Sequence, residues 1–215
     1  MKRKKGVFIV LEGVEGTGKS TVCQFLETEL KKEGYMVYRT REPGGQGSPV
    51  AEKIRALILD PHHKIWPETE ALLFAASRAQ HVRDVIKPHL LKGEIVLCDR
   101  FIDSSIAYQG YGRKLTAQAI LEINRLAVGK CWPDLIIIFD LPPAIGLKRK
   151  RAARYSFDRL DKEKLAFHER VRKGYKILAR QNPKRYRLVD VSKPLSEVES
   201  EVLDLIKKFL KRKMK

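Results

Sequence analysis

The chain has few cysteines and no long apolar run. Of its 215 residues only three are cysteines, Cys23, Cys98 and Cys131, which are far apart and odd in number. This pattern argues against a disulfide framework or a zinc site and favours a reducing cytoplasm. No stretch approaches the roughly 20 consecutive apolar residues of a transmembrane helix. The apolar segment behind the basic N-terminus is short and runs straight into a motif, so we expect no secretory signal peptide.

Acidic residues are also few compared with basic ones. The chain has 44 Lys and Arg against 26 Asp and Glu, a formal charge of +18 at pH 7. Such a balance raises nucleic acid as a possible partner, but four of the basic residues lie in segment 2–5 and six in segment 207–215. We therefore expect solvated basic tails on an enzyme that handles polyanionic nucleotides, with neither nucleic acid nor membrane as a partner.

A glycine-rich motif near the N-terminus is the strongest signal. Residues 13–20 read Gly-Val-Glu-Gly-Thr-Gly-Lys-Ser and match the phosphate-loop pattern G-x-x-x-x-G-K-[ST]. An apolar run precedes the motif and a helical pattern follows it, as the pattern requires. Backbone N–H groups, Lys19 and Ser20 together predict a site for a nucleoside triphosphate and Mg²⁺. The predicted nucleotide-binding residues are Gly13, Val14, Glu15, Gly16, Thr17, Gly18, Lys19, Ser20 and Thr21.

Short apolar runs alternate with amphipathic helical stretches along the whole chain. The predicted strands are residues 7–11, 36–40, 95–98, 135–139 and 186–191. Alternation of this kind is typical of βαβ units around a parallel sheet. Helix ends are predicted at Gly34, at Ser48-Pro49 and at a capping box from Ser196 to Glu199. We predict one α/β domain over residues 1–215, a P-loop NTPase-type doubly wound parallel sheet with helices on both faces and a small lid.

A second polar motif follows the third predicted strand. Asp99 stands at the carboxyl end of that strand, where a phosphate-loop enzyme needs an acid to help hold Mg²⁺. Arg100 beside it offers a planar fork of donors to a phosphate. On these two residues alone, a surface ion pair explains the pattern equally well.

Three further segments identify a family resemblance. They are Thr-Arg-Glu-Pro-Gly-Gly at 40–45, Leu-Leu-Phe-Ala-Ala-Ser-Arg at 72–78, and Asp-Arg-Phe-Ile-Asp-Ser-Ser-Ile-Ala-Tyr-Gln-Gly-Tyr-Gly at 99–112. In this order they closely resemble the thymidylate kinases, from about Phe8 to the last helix. The resemblance implies transfer of the γ-phosphoryl group of ATP to dTMP, giving dTDP, with Mg²⁺ held by Ser20 and Asp99, and a homodimer.

The resemblance also implies roles for individual residues. Phe74 is expected to stack on thymine and Arg78 to bond a base carbonyl, while Tyr108 disfavours ribonucleotides at the 2′ position. Arg55 and Arg100 would hold the acceptor phosphate, and Glu15 would lie near the 3′-hydroxyl. The implied dTMP-binding residues are Glu15, Glu42, Arg55, Phe74, Arg78, Arg100, Ser105, Tyr108 and Gln109. Simple helix packing remains an alternative for Ser105, Tyr108 and Gln109.

Gly16 bears on the origin of the catalytic arginines. Some members of the family have an arginine at this position of the loop, whereas others, of the bacterial type, take it from a lid. With glycine at 16, the basic segment at about 148–160 is the expected lid. Arg149 and Arg159 are the expected γ-phosphate contacts, with Arg151 and Arg154 as alternatives. The expected catalytic residues are thus Lys19, Asp99, Arg100, Arg149 and Arg159.

Three other functions remain to be weighed. A regulatory GTPase usually has an Asn-Lys-x-Asp segment and an Asp-x-x-Gly switch, and the sequence contains neither. A nucleic-acid-dependent ATPase usually has a catalytic Glu after the strand-ending Asp, where this chain has Arg100. A related nucleoside or nucleoside monophosphate kinase with another acceptor is the nearest alternative.

Overall fold

The computed structural model describes residues 6–153 and 157–213, and a parallel β-sheet forms its centre. The strands are β1 (Val7–Gly13), β2 (Val37–Arg41), β3 (Ile95–Asp99), β4 (Leu135–Asp140) and β5 (Tyr186–Asp190). Their order is β2-β3-β1-β4-β5, and each neighbouring pair is parallel. The predicted strands are therefore confirmed, and their ends differ from the prediction by two residues or fewer.

Helices connect successive strands. They are α1 (Lys19–Lys32), α2 (Pro49–Leu59), α3 (Pro67–His81), α4 (Lys87–Leu91), α5 (Ile102–Ser105), α6 (Ala117–Val128), α7 (Pro143–Ala152), α8 (Leu165–Gln181) and α9 (Leu195–Lys213). Two π-helical segments, Val82–Ile86 and Ile106–Gly112, continue α3 and α5. The predicted capping box at Ser196 is wrong, because α9 begins one residue earlier and the carbonyl of Pro194 accepts its first backbone bonds.

The sheet buries both of its faces. Along β1, Phe8 and Val10 belong to one hydrophobic cluster, which also contains residues of α3, α8 and the second π-helical segment. Ile9 and Leu11 point to the opposite face and join a cluster formed with α1 and α9. This alternation confirms the predicted doubly wound arrangement, because each strand face needs a helical layer to exclude water.

The topology brings the two sequence motifs together. β1 lies beside β3, with Leu11 paired to Asp99, so the phosphate loop and the Asp99-Arg100 turn leave the sheet at the same edge. Ligands of open α/β sheets bind at this carboxyl edge. Across the described ranges, no helix combines the length and apolar character needed to span a bilayer.

Candidate active site

The phosphate loop, residues 13–20, joins β1 to α1. Gly16 and Gly18 have φ values of 68° and 83°, a region that residues with side chains rarely adopt. A Cβ at Gly16 would overlap the carbonyl of Gly146, so the loop and α7 touch through two glycines. This contact leaves no room for an arginine at position 16.

Lys19 is buried within the loop it belongs to. Its Nζ donates to the carbonyls of Gly13 at 3.1 Å and Val14 at 2.8 Å and to the hydroxyl of Thr17 at 3.0 Å. Burial, and secondly the charge of Arg100, lower the pKa of this ammonium to about 8. Because neutral oxygens hold it, its charge is available to an anion bound in the loop.

Ser20 and Asp99 form an oxygen-rich pair where β1 and β3 end. The Ser20 hydroxyl donates to Asp99 Oδ2 at 2.5 Å. Asp99 Oδ1 is buried and has no hydrogen-bond partner among the described residues. Mg²⁺ prefers hydroxyl and carboxylate oxygens, and an unpartnered carboxylate oxygen next to a hydroxyl fits this ion.

Arg100 reaches from the end of β3 towards the phosphate loop. Its φ of 72° is unusual for a residue with a side chain. The guanidinium donates to the carbonyl of Gly13 at 2.9 Å and to Glu15 Oε1 at 3.2 Å. It also lies 5.0 Å from the centre of the Tyr108 ring. The strained turn thus presents a cation beside the loop.

Glu12 supports this turn from beneath. Its carboxylate accepts the backbone N–H groups of Phe101 at 2.7 Å and Ser104 at 3.1 Å. It also accepts the hydroxyls of Ser104 at 2.7 Å and Tyr175 at 2.8 Å. Burial, and secondly the charge of Asp103, raise the pKa of Glu12 to about 7. Sequence analysis missed Glu12, because it falls within a strand and its partners come from distant segments.

Glu15 is the acidic residue of the loop. Its Oε1 accepts the Tyr108 hydroxyl as well as Arg100, and its Oε2 lies 3.3 Å from His168 Nδ1. Burial opposes ionisation, but the groups contributed by His168, Arg100 and Tyr108 outweigh it and hold the pKa of Glu15 well below its usual value. Glu15 is therefore an anion fixed at one side of the cleft.

A cleft of about 520 Å³ contains most of the predicted residues. Predicted residues that line it are Glu15, Gly16, Thr17, Gly18, Lys19, Ser20, Thr21, Glu42, Arg55, Phe74, Asp99, Arg100, Tyr108, Gln109 and Arg149. Gly13 and Val14 are buried behind the loop, where their carbonyls hold Lys19. The sequence analysis assigned no role to Arg41, Lys150 and Asp158, which also line the cleft, although Arg41 lies in the 40–45 segment and the other two in the expected lid.

Arg78 and Ser105 lie behind the wall of the cleft. Arg78 is 1% exposed, and it donates to Glu42 Oε2 at 2.7 Å, to Ser105 at 2.9 Å, to the Phe101 carbonyl at 2.9 Å and to Asn124. These bonds use four of the five guanidinium N–H groups and leave one on Nη2. Arg78 therefore holds the wall together, and at most one N–H is free for a ligand.

Glu42 continues this buried network into β2. Its other oxygen, Oε1, lies 3.1 Å from His81 Nδ1, and His81 Nε2 lies 2.7 Å from the Thr40 hydroxyl. Four polar side chains, two from residues 40–42 and two from α3, thus form one hydrogen-bonded chain from Thr40 through His81 and Glu42 to Arg78. The carboxylate of Glu42 borders the cleft while its oxygens are taken by protein partners.

The structure separates the two expected lid arginines. Arg149 lines the cleft and donates to the Val191 carbonyl at 3.1 Å. Arg159 turns away from the cleft and donates to Glu70 Oε2 at 2.6 Å and to the Ile58 carbonyl at 2.9 Å. Arg151, on α7, is exposed, and Arg154 lies outside the described residues. Sequence patterns gave no sign that Glu70 binds Arg159.

The strand order, and a cleft lined by the phosphate loop and the Ser20–Asp99 pair, define a P-loop phosphoryl-transfer enzyme. The family model for thymidylate kinase matches residues 11–202. A thymidylate kinase of Thermomicrobium roseum is 48% identical over 205 residues, covering 95% of this chain and 96% of the relative. One from Bacillus pumilus is 46% identical over 209 residues, covering 96% and 98%.

A solved structure agrees with these relatives. The crystal structure of thymidylate kinase from Ehrlichia chaffeensis has a TM-score of 0.76 and 33% identity, and the match covers 94% of this chain and 99% of that one. The chain belongs to the thymidylate kinase family, and it is a kinase. The resemblance found in the sequence is confirmed, and the GTPase and nucleic-acid-dependent ATPase alternatives are set aside.

Proposed function

We propose that this kinase transfers the γ-phosphoryl group of ATP to the 5′-phosphate of dTMP, giving ADP and dTDP. One observation carries the proposal: the phosphate loop lines the same cleft as Arg55, Phe74, Arg100 and Gln109. Two polyanions repel each other, so the enzyme must supply positive charge and fixed geometry. Both requirements are met by these side chains.

The donor triphosphate would lie in the loop formed by residues 13–21. Backbone N–H groups and the N-terminus of α1 favour an anion there, and Lys19 adds a charge that neutral oxygens hold in place. Ser20 and Asp99 would hold Mg²⁺. When bound, Mg²⁺ neutralises charge on the phosphate oxygens.

The acceptor would occupy the other end of the cleft. Arg100 and Arg55 would bind its phosphate, and Arg55 is already oriented by a 2.7 Å bond to the Pro43 carbonyl. The ring of Phe74, which lines the cleft, would stack on thymine. The remaining Nη2–H of Arg78 and the amide of Gln109 are the proposed donors to the base.

The sugar would lie against Tyr108 and Glu15. Tyr108 is held by its bond to Glu15 and by edge contacts to the rings of Phe167 and Tyr175, at centroid distances of 6.1 and 6.4 Å. A ring fixed in this way has little freedom to make space for a 2′-hydroxyl. Glu42 and Ser105 are proposed to act by holding Arg78 in the wall.

The segment at about 148–160 is proposed as a lid that excludes water from the transferring group. Arg149 and Lys150 already line the cleft, so they need little movement to reach a nucleotide. Arg159 would have to leave Glu70 to contact a γ-phosphate, and its Nη2 has no partner among the described residues. We propose that Arg149 binds the donor nucleotide, and that Arg159 contacts the γ-phosphate only after the lid has closed.

We also propose a homodimer and a cytoplasmic location. α3 packs against both α2 and α6, and exposed apolar side chains lie on all three helices. These are Val50, Leu57, Leu72 and Leu126. The proposed cytoplasmic location is supported by the three cysteines, which are all buried free thiols, as is typical of a reducing compartment.

The test is ADP release from ATP and Mg²⁺ with a panel of acceptors: dTMP, dUMP, ribothymidine monophosphate, dCMP, dGMP, AMP and thymidine. We expect strong turnover with dTMP, weaker turnover with dUMP and little with the others. Lys19→Met is the control for contaminating kinases, and we expect it to lower kcat by about 100-fold or more. Preference for another monophosphate would mean that the acceptor is that nucleotide and not dTMP. The absence of acceptor-dependent turnover would refute the proposal.

A further inference from the structure

His168 is a buried histidine that the proposed reaction does not yet use. It lies near the start of α8 and has no measurable exposure. Neither ring nitrogen has a hydrogen-bond partner within residues 6–153 and 157–213. Glu15 Oε2 is likewise buried and unpartnered there, and it lies 3.3 Å from His168 Nδ1. Buried polar atoms are almost always hydrogen-bonded, so the two atoms are each other's natural partners.

The surroundings of α8 link His168 to the sugar end of the cleft. α8 packs along the π-helical segment Ile106–Gly112, which contains Tyr108. Phe167, the neighbour of His168, makes an edge contact with the Tyr108 ring, and so does Tyr175 on the same helix. The same helix therefore supports Tyr108 and faces Glu15, the two groups proposed to contact the sugar.

We propose that His168 is a positioning residue for substrate selection, acting through Glu15. Its Nδ1–H donates to the buried Oε2 of Glu15 and fixes the carboxylate at the edge of the cleft, where the carboxylate accepts the 3′-hydroxyl of a deoxynucleoside monophosphate. This inference rests on the proposed function.

The hydrogen-bonding capacity of Glu15 is consistent with this arrangement. A carboxylate has about four acceptor positions, and Oε1 already accepts Tyr108 and Arg100. Oε2 then accepts His168 in the interior, and the carboxylate keeps one of its acceptor positions for a ligand. If the neutral His168 ring carries its proton on Nδ1, its one N–H group is bonded to Glu15, and no N–H group of the ring is left buried without a partner.

The experiment compares dTMP with 3′-deoxythymidine monophosphate as acceptors. His168→Leu removes the donor at similar size, whereas His168→Asn keeps an N–H near the position of Nδ1. We expect His168→Leu to raise KM for dTMP about tenfold, the effect of one lost hydrogen bond, with kcat changed by less than about threefold. The KM for the 3′-deoxy acceptor should barely change, and His168→Asn should restore most of the dTMP affinity.

Val171→Ala is the matched control, because it removes packing one turn further along α8 without removing a donor. It is expected to leave the ratio of the two KM values unchanged. An equal rise in both KM values for His168→Leu, or no rescue by Asn, would overturn the inference. If wild-type enzyme does not turn over dTMP, it is the proposed function that fails.

A measurement on the wild-type protein does not depend on how the variants fold. Nitrogen-15 chemical shifts of labelled histidine report the tautomer of His168 in the intact enzyme. We expect Nδ1 to carry the proton, with its signal shifting in Glu15→Gln. A proton on Nε2 alone would contradict the inference.

Discussion

Arg159 donates from Nη1 to Glu70 Oε2 at 2.6 Å, and this bond joins the end of the proposed lid to α3. Glu70 has no exposed surface, and its carboxylate also accepts Gln109 at 2.8 Å and Arg113 at 3.0 Å. Arg113 in turn binds Glu163 at 2.5 Å. Three segments of the chain therefore meet at one buried carboxylate: α3, residues 109–113 and the segment that contains Arg159.

Arg159→Ala is expected to lower both stability and turnover. Breaking a buried ion pair by removing one partner costs about 3–5 kcal/mol. Because Arg113 still neutralises Glu70 in this variant, we expect the free energy of unfolding, measured in urea, to fall by only about 2 kcal/mol. Arg151→Ala, on the exposed side of α7, is the control and should change it by less than about 0.5 kcal/mol.

The kinetic effect of the same variant tests the lid. If Arg159 reaches the γ-phosphate on closure, kcat should fall far more than KM for dTMP rises, because the contact forms only in the transition state. Equal changes in kcat and in dTMP affinity would show that Arg159 acts through Glu70 alone.

Glu12→Gln is expected to change the pH dependence of stability. The carboxyl of Glu12 has a pKa of about 7 in the folded protein against 4.5 for an ordinary glutamate, so the folded state binds this proton more tightly. Unfolding releases it between these two pH values, and the free energy of unfolding must fall as pH rises from about 4.5 to 7. The shift corresponds to about 3 kcal/mol.

Glutamine resembles the protonated acid, and the hydroxyls of Ser104 and Tyr175 can rotate to accept its amide. The variant should therefore lose most of this fall, as measured by urea unfolding at a series of pH values. Glu197→Gln, an exposed change in α9, should follow the wild-type profile. A Glu12→Gln profile parallel to the wild type would disprove the assigned cause.

Local patterns were sufficient to predict the sheet, the phosphate loop and the Ser20–Asp99 pair. A fixed motif between a strand and a helix determines the loop, and parallel strands place their carboxyl ends at one edge whatever the rest of the chain does. Short apolar runs identified the strands to within two residues at each end. Both kinds of signal depend on neighbours in sequence.

The buried polar networks could not be predicted in this way. Glu12 binds Ser104 and Tyr175, which are 92 and 163 residues away, and Arg159 binds Glu70 across 89 residues. Which charged side chains meet in the interior depends on packing between segments, and no local periodicity encodes it. The family motif indicates that Arg78 binds the base, but it does not indicate the protein groups that accept four of its five N–H groups. These partners come from distant segments of the chain.

Lys19 should take up a proton when ATP binds at pH 8. Its pKa of about 8 in the free enzyme means that about half of the molecules carry the proton at this pH. A bound triphosphate stabilises the ammonium and raises its pKa, so binding draws a proton from the buffer. Calorimetry in two buffers of different ionisation enthalpy should give an uptake of about 0.5 proton.

Lys19→Arg provides the control for this uptake. It keeps a positive charge that does not titrate near pH 8, and binding to this variant should be independent of the buffer. Buffer-independent binding in the wild type would mean that Lys19 is fully protonated before ATP arrives.

Phe74→Leu is expected to raise KM for dTMP about tenfold and leave KM for ATP unchanged. Stacking of an aromatic side chain on a base contributes about 1–3 kcal/mol, and leucine keeps part of the apolar contact. Phe25→Leu, in the cluster on the other face of the sheet, is the control for general loss of packing. A parallel rise in both KM values for Phe74→Leu would indicate a change in the whole cleft.

Leu72→Glu and Leu126→Glu are expected to dissociate the proposed homodimer. Leu72 of α3 and Leu126 of α6 are 56% and 88% exposed, and burying such side chains against a second copy would remove them from water. A buried, unpaired glutamate is costly, so sedimentation should detect a dimer for the wild type and a monomer for the double variant. Leu91→Glu changes a leucine that is 70% exposed on α4, outside these helices, and should leave the dimer intact. Dissociation by Leu91→Glu, with Leu72→Glu and Leu126→Glu still dimeric, would place the interface on another face.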